Sequence, residues 1–488
     1  MAWASNLRKG TDLPTWDWLA FFPPGSSFHG TDHAYDGVRY VYWIVQYGST
    51  GAASTTQLWR FDTWSEGWQF LASTTNGYTG TSMEYDPVRN VLYFVSTNAS
   101  TEWRVFNLNT TNVIISNVTC TPFVFTTMTP VLPGAAGLGA SLVLADDVRF
   151  TDPAITGTAT GGTTLTITVD STTTLTNQGQ VGMAIRMTSG TYSGQRRIIS
   201  AVATSGTTQT ITVSSAFGGA IVAGNTFVVE YPQGTATATF NTTTLADSTQ
   251  TWATNFYANM DVVITAGTGV GQRRRITSNT ATVLTLASTV TGNARTGAWA
   301  TQPDGTSIYE IVPSSDFLYY MSGTSGTGLY KIDVNTGANA ATWTTLTVVP
   351  ATVNGGGAME HGRTTSPFAI YILRGNATNN IYQYNIGLNT HTTLTTTFLS
   401  SETFSTGASM TMLDENNRIW LLKDSATRMY SYRLSDGMLE PAGTLPYAAP
   451  AAYDGHRAEY IKTADGVKWV YILRAGGQEH YRYALEWL

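Results

Sequence analysis

A single cysteine, Cys120, rules out an intrachain disulfide framework. Secreted eukaryotic and periplasmic β proteins more often carry such bridges. Charge is scarce as well: 12% of the 488 residues are charged, against roughly 25% in ordinary soluble domains. Lysine is confined to Lys9, Lys331, Lys423, Lys462 and Lys468, so arginine carries most of the positive charge. The net charge of −6 excludes a general nucleic-acid binder, which needs a basic footprint. It does not exclude a lining past which DNA slides without sticking. The histidines are His29, His33, His361, His391, His456 and His480. None forms a His-x-His or His-Glu-x-x-His spacing, so no metal ligand set is expected. No apolar run approaches the roughly 18 residues of a membrane helix, and no membrane insertion is expected. Met1 to Asn6 lacks both a basic start and an apolar core, so no signal peptide is expected and folding is placed in a cytoplasm. No glycine-rich loop precedes a helix, so nucleotide cofactors are not expected either.

What the chain does have is a repeat. Its copies read Leu58-Trp59-Arg60-Phe61-Asp62, Trp103-Arg104-Val105-Phe106-Asn107, Tyr330-Lys331-Ile332-Asp333, Tyr382-Gln383-Tyr384-Asn385, Tyr430-Ser431-Tyr432-Arg433 and Tyr481-Arg482-Tyr483-Ala484. Aligned on Phe61, Phe106, Ile332, Tyr384, Tyr432 and Tyr483, they lie 45, 226, 52, 48 and 51 residues apart. Before the phrase come two apolar segments joined by an Asp…Arg turn, as in Asp36-Gly37-Val38-Arg39 and Asp86-Pro87-Val88-Arg89. After it comes a weaker strand such as Glu66–Leu71 or Trp343–Leu346. Four antiparallel strands every 40 to 50 residues predict β-propeller blades, and six copies predict six blades. The sixth copy has no room for a fourth strand, and Thr15–Ala20 is an orphan strand. The N-terminal strand is therefore expected to complete the last blade and remove the sheet edges. Helix should be almost absent.

The interval of 226 residues marks an insertion in the third blade, between Ala140–Ala145 and Phe317–Met321. Its texture is Thr- and Gly-rich and it is duplicated. Gly190-Thr191-Tyr192-Ser193-Gly194-Gln195-Arg196-Arg197 recurs 77 residues on as Gly267-Thr268-Gly269-Val270-Gly271-Gln272-Arg273-Arg274. The expected organisation is propeller over 1–148, a small β module over 149–232, a second over 233–313, and propeller again over 314–488.

The Gly-Thr-x-x-Gly-Gln-x-Arg pattern resembles small β modules of structural proteins in tailed bacteriophages. The repeat array resembles the kelch-like group, and its six units are similar to the tail nozzle proteins of short-tailed phages. The usual kelch double glycine is absent from most units. This resemblance implies a virion tail component made in the host cytoplasm. It further implies a homo-oligomeric ring, a hexamer by preference, at the tail tip. Adaptor and fibre proteins would be its neighbours, and DNA would pass transiently during ejection.

Two other readings stay open: a propeller that binds host-surface glycan, and a carbohydrate-active enzyme. The repeated aromatics read as blade packing, because a binding site is expected to break a repeat rather than follow it. For an enzyme, Asp146, Asp147 and Glu360 are carboxylate candidates that spacing cannot unite. No sialidase box or copper-radical ligand set is present, so no catalytic residue is assigned. The strongest charge clusters are Arg196 and Arg197, with Arg273, Arg274 and Arg275 in the second copy. They suit carboxylates of a partner subunit or DNA phosphates, or else order their own module. Arg275 has no counterpart in the first copy, where Ile198 stands. His33-Ala34-Tyr35-Asp36 and Tyr453-Asp454-Gly455-His456 would be neighbours in a closed ring, although turn histidines are the simpler reading.

Overall fold

The computed structural model describes residues 16–19, 28–47, 55–74, 81–96, 100–145, 155–170, 175, 179–237, 241–290, 293–335, 342–363, 366–394, 402–413, 418–423, 426–446, 456–462, 467–474 and 479–485. These residues are all-β, built from antiparallel sheets without a helix. Short runs rich in Val, Ile, Tyr and Trp, cut by Asp- and Gly-containing turns, favour pleated strands over helix.

Six of the sheets have four strands each. The first runs Phe28–Tyr35, Tyr40–Tyr47, Thr55–Asp62, Gly67–Thr74. The second runs Thr81–Asp86, Val91–Ser96, Trp103–Asn107, Phe125–Thr127, and the third Ser141–Leu144, Phe317–Met321, Leu329–Asp333, Thr344–Thr345. The fourth is Ala358–His361, Ala369–Leu373, Ile381–Asn385, Thr390–Leu394, and the fifth Ser409–Leu413, Arg418–Leu422, Arg428–Arg433, Leu439–Thr444. The sixth takes His456–Lys462, Lys468–Arg474 and His480–Ala484 from the end of the chain and Trp16–Trp18 from its start. Trp16 faces Tyr483 and Trp18 faces Tyr481 in that last pairing.

The first strand of each sheet neighbours the first strand of the next, and that of the sixth neighbours that of the first. Between successive sheets lie apolar seams, and the repeated aromatic position enters one seam after another. Phe61 lies between the sixth and first sheets, Phe106 between the first and second, and Ile332 between the second and third. Tyr384, Tyr432 and Tyr483 continue the series. All six are at least 95% buried, which accounts for why the phrase keeps a large apolar side chain there.

The inner strands are tied by a second, polar repeat. Leu142 N–H donates to Ser82 Oγ at 2.9 Å, Met359 N–H to Ser141 Oγ at 3.0 Å, and Ala458 N–H to Ser409 Oγ at 3.3 Å. Met83 N–H likewise donates to Asp32 Oδ2 at 2.6 Å. Each short side chain satisfies a backbone donor of the next sheet's inner strand. Ser82→Ala would leave the buried Leu142 N–H without that acceptor. It is expected to cost about 1–3 kcal/mol, read as a lower denaturant midpoint with unchanged slope.

The chain leaves the third sheet after Ser141–Leu144 and returns at Phe317–Met321. In between, strands from Ile155–Thr158 to Thr226–Glu230 form a seven-stranded sheet, and strands from Gln233–Thr235 to Ile308–Val312 a six-stranded one. Their registers repeat. Ala184↔Ile198, Ile185↔Arg197 and Arg186↔Arg196 recur as Asp261↔Arg275, Val262↔Arg274 and Val263↔Arg273.

The two units share one apolar core, which takes in Phe368 from the turn between the first two strands of the fourth sheet. Phe256 is the wedge. A Cβ on Gly182 of the first unit would stand 2.1 Å from its ring, and one on Gly387 of the fourth sheet 2.3 Å from its carbonyl. Thr204 Oγ1 and Gln209 Nε2 both donate to Ser435 O of the fifth sheet, at 2.8 and 2.9 Å. Phe368, Gly387 and Ser435 sit in turns joining first to second or third to fourth strands. All of these turns lie on one side of the circuit, so the insert covers that side.

Candidate functional site

The duplicated arginines have duplicated tasks. Arg197 donates to Ala216 O at 2.8 Å and Arg196 O at 2.8 Å, and its guanidinium lies 5.3 Å from the Phe217 ring centroid. Arg274 donates to Ala298 O at 3.0 Å and Arg273 O at 2.9 Å, and lies 5.7 Å from Trp299. Gln195 Oε1 accepts from Gly218 N–H, while Gln272 Oε1 accepts from Ala300 and Thr301 N–H. The Gly-Gln-x-Arg motif thus pins a long loop onto its own sheet. Arg196 pairs with Glu230 at 2.5 Å and Arg273 with Asp261 at 2.6 Å. All four side chains are engaged within their own units.

Arg275 is different because the second copy breaks the duplication there. Where the first has the apolar pair Ala184–Ile198, the second has Asp261–Arg275. Arg275 pairs with Asp316 and Asp333 of the third sheet. Asp316 is fully buried and also meets Arg89 of the second sheet at 2.5 Å, Arg295 at 3.2 Å and Asn335 Nδ2 at 3.0 Å. Asp261, equally buried, meets Arg273 and Arg295, and Arg89 returns to Asp86 at 2.8 Å. Arg89, Arg273, Arg275 and Arg295 therefore interlock with Asp86, Asp261, Asp316 and Asp333. Four positive charges balance four negative ones, and the insert is fastened to two sheets.

Burial alone would raise the Asp316 carboxyl, but the guanidiniums of Arg275, Arg295 and Arg89 outweigh it and bring it down to about 2. At Asp261 burial wins over Arg273 and Arg295, and the carboxyl is raised. Beside the cluster, Lys331 Nζ lies 4.6 Å from the Phe317 ring centroid and Arg275 lies 4.8 Å from it. Burial and then the Arg275 charge pull Lys331 down to about 8. The sequence offered one signal for this site, the mismatch of Arg275 with Ile198. Asp316, Asp261, Arg295 and the outward role of Arg89 were not singled out.

The inner strands of all six sheets enclose a small cavity of about 70 Å³ lined by Asp32, His33, Glu84, Glu360, Arg363 and Glu459. His33 Nε2 stands 2.8 Å from Glu459, and its Nδ1 3.8 Å from Asp32. Of the carboxylates weighed from sequence, Glu360 lines this cavity, while Asp146 and Asp147 lie outside the described residues. His33 is brought to Glu459, three residues beyond His456, whose side chain also lies outside them. The space is of a size for ordered waters between these charged side chains. Among the described residues no group of three or more His, Cys, Asp or Glu is placed to hold a metal ion.

No family model matches this chain, and no curated protein matches it. Among solved structures, one titled "Crystal Structure of Mitotic Checkpoint Complex" aligns with 99% of this chain and 98% of its own, at a TM-score of 0.36 and 8% identity.

Proposed function

We propose that the six four-stranded sheets are the blades of a closed β-propeller, and that the chain is a non-enzymatic structural subunit of a bacteriophage tail. Its place is a nozzle-type ring at the tail tip. The observation that carries this reading is the fastening of the duplicated, phage-like modules. A buried ionic network and a shared aromatic wedge lock the insert onto one side of the sheet circuit. Such a joint makes propeller and insert one stiff body, which suits a part that bears load.

The axial cavity of a single copy is far too small for DNA, so the exit channel belongs to the axis of an assembly, between copies. A net charge of −6 on each copy keeps DNA from sticking to such a channel. Native mass measurement of the chain, alone and co-expressed with the virion proteins encoded beside it, tests this. The expected result is a closed ring of identical subunits, six by preference. A chain that stays monomeric under both conditions and is missing from purified particles would sink the proposal.

A further inference from the structure

The first sheet breaks the repeat at one exposed position. Three residues after the repeated aromatic, the other described sheets carry Asn109, Asn335, Gly387 and Ser435, small or polar turn residues. Two of them turn inward: Asn109 Nδ2 donates to Arg89 O at 2.8 Å and Asn335 Nδ2 to Asp316 at 3.0 Å. In the first sheet the residue is Trp64, and its side chain is 59% exposed. The turn itself does not need an indole. Asp62 Oδ1 accepts from Trp64 N–H at 3.0 Å and Ser65 N–H at 3.4 Å, and Thr63 Oγ1 donates to Arg39 O at 2.8 Å.

The indole is nevertheless held in place. The Arg39 guanidinium lies 4.6 Å from its ring centroid and is itself gripped by Asp62 at 2.8 and 2.5 Å. Arg39 also lies 5.2 Å from the Tyr40 ring centroid, and Arg60, fixed by Gln69 at 2.8 Å, lies 4.3 Å from that centroid. The result is a ladder of Trp64, Arg39, Tyr40 and Arg60. One face of Trp64 rests on it, and the indole remains largely open to solvent.

We propose that Trp64 is the platform of a saccharide-binding site. A pyranose ring presents an apolar C–H face that stacks on an indole, while its hydroxyls accept hydrogen bonds from a guanidinium and donate them to a carboxylate. Arg39 and Asp62 supply those groups beside the ring. Their side chains are 35% and 15% exposed, so both stay within reach of a ligand. Because the pair is already neutral and fixed, a neutral sugar loses little on docking, and the platform sacrifices little side-chain freedom. The site stands on the geometry of the first sheet alone, so it holds or fails independently of the tail assignment.

Saturation-transfer NMR on the whole chain tests it, using β-linked oligomers of glucose, galactose and N-acetylglucosamine as probes. Transfer to the C–H protons of at least one series is expected, with dissociation constants in the millimolar range, roughly. Trp64→Ala should weaken that binding about tenfold or more, while Phe70→Ala, which removes another exposed aromatic of the same sheet, leaves it unchanged. No transfer to any of the three series would overturn the site, as would transfer that survives Trp64→Ala. Loss of self-association in Trp64→Ala, seen by sedimentation, would overturn it in favour of a contact between copies.

Discussion

Asp316→Asn is expected to lower the stability of the chain by about 3–5 kcal/mol, the usual consequence of breaking a buried ion cluster from one side. Asparagine keeps the size and shape of the side chain, so packing is not the cause. What changes is that Arg89, Arg275 and Arg295 lose the one carboxylate they share, in a place that water does not reach. The unfolding midpoint in urea should fall, and limited proteolysis should cut the insert before the rest of the chain.

Balance rather than charge is what matters, and a second variant separates the two. Asp316→Asn combined with Arg275→Met removes one charge of each sign. The double variant should be more stable than Asp316→Asn alone, with a coupling of about 1–3 kcal/mol. A double variant that merely adds the two losses would show that the network is not cooperative.

The network also has a defined response to acid. With its carboxyl held at about 2 in the folded chain, Asp316 favours folding above its ordinary value of 3.8, and that support is lost as pH falls from about 4 to about 2. Asp261 runs the other way. Its raised carboxyl takes up a proton earlier than in the unfolded chain, which favours the folded state as pH falls. The joint is therefore expected to survive mild acid, and Asp316→Asn should erase the loss below about pH 4.

The sequence exposed features that obey a period and hid those that depend on two distant segments meeting. The buried series Phe61, Phe106, Ile332, Tyr384, Tyr432 and Tyr483 was legible because every seam makes the same demand on the same position. The strand Trp16–Trp18 was legible because it was an orphan beside an incomplete unit. The serine tethers were not: Ser82, Ser141 and Ser409 look like ordinary polar residues in strands, and only the neighbouring sheet gives them a partner. Asp316 was hidden for a stronger reason. Its partners lie 41 and 227 residues away, at Arg275 and Arg89, and no local pattern links them. Duplication showed that Arg275 was unusual, without showing what it met. Trp64 lies just beyond the first copy of the repeated phrase, and its exposure became visible only once the turn was folded.

Acid should loosen the seam between the first and sixth sheets in a different and milder window, and His480 is the reason. The imidazole is fully buried among Trp43, Phe61, Trp68 and Tyr471, with centroid distances of 5.6, 4.6, 5.0 and 5.8 Å. Among the described residues neither ring nitrogen has a hydrogen-bond partner. Burial, with a smaller push from the Arg482 charge, lowers its pKa to about 3. The unfolded chain, with an ordinary value of 6.5, therefore takes up the proton first, and stability is lost steadily as pH falls from about 6.5 towards 3. At about 1.4 kcal/mol per pH unit, the loss reaches about 2 kcal/mol by pH 5. His391, also lowered by burial, adds a loss of the same sign. His480→Phe gives up no hydrogen bond and keeps an aromatic ring among aromatic rings. Urea unfolding should show it no less stable than the native chain at pH 7.5 and about 2 kcal/mol less sensitive to a shift to pH 5. The effect is concentrated where the two ends of the chain join, since Leu19 N–H donates to the His480 carbonyl at 3.0 Å. Hydrogen exchange at pH 5 should therefore open Trp16–Trp18 and His480–Ala484 first in the native chain and not in the variant. If both proteins lose the same stability between pH 7.5 and 5, the proton goes elsewhere and the seam is not acid-sensitive.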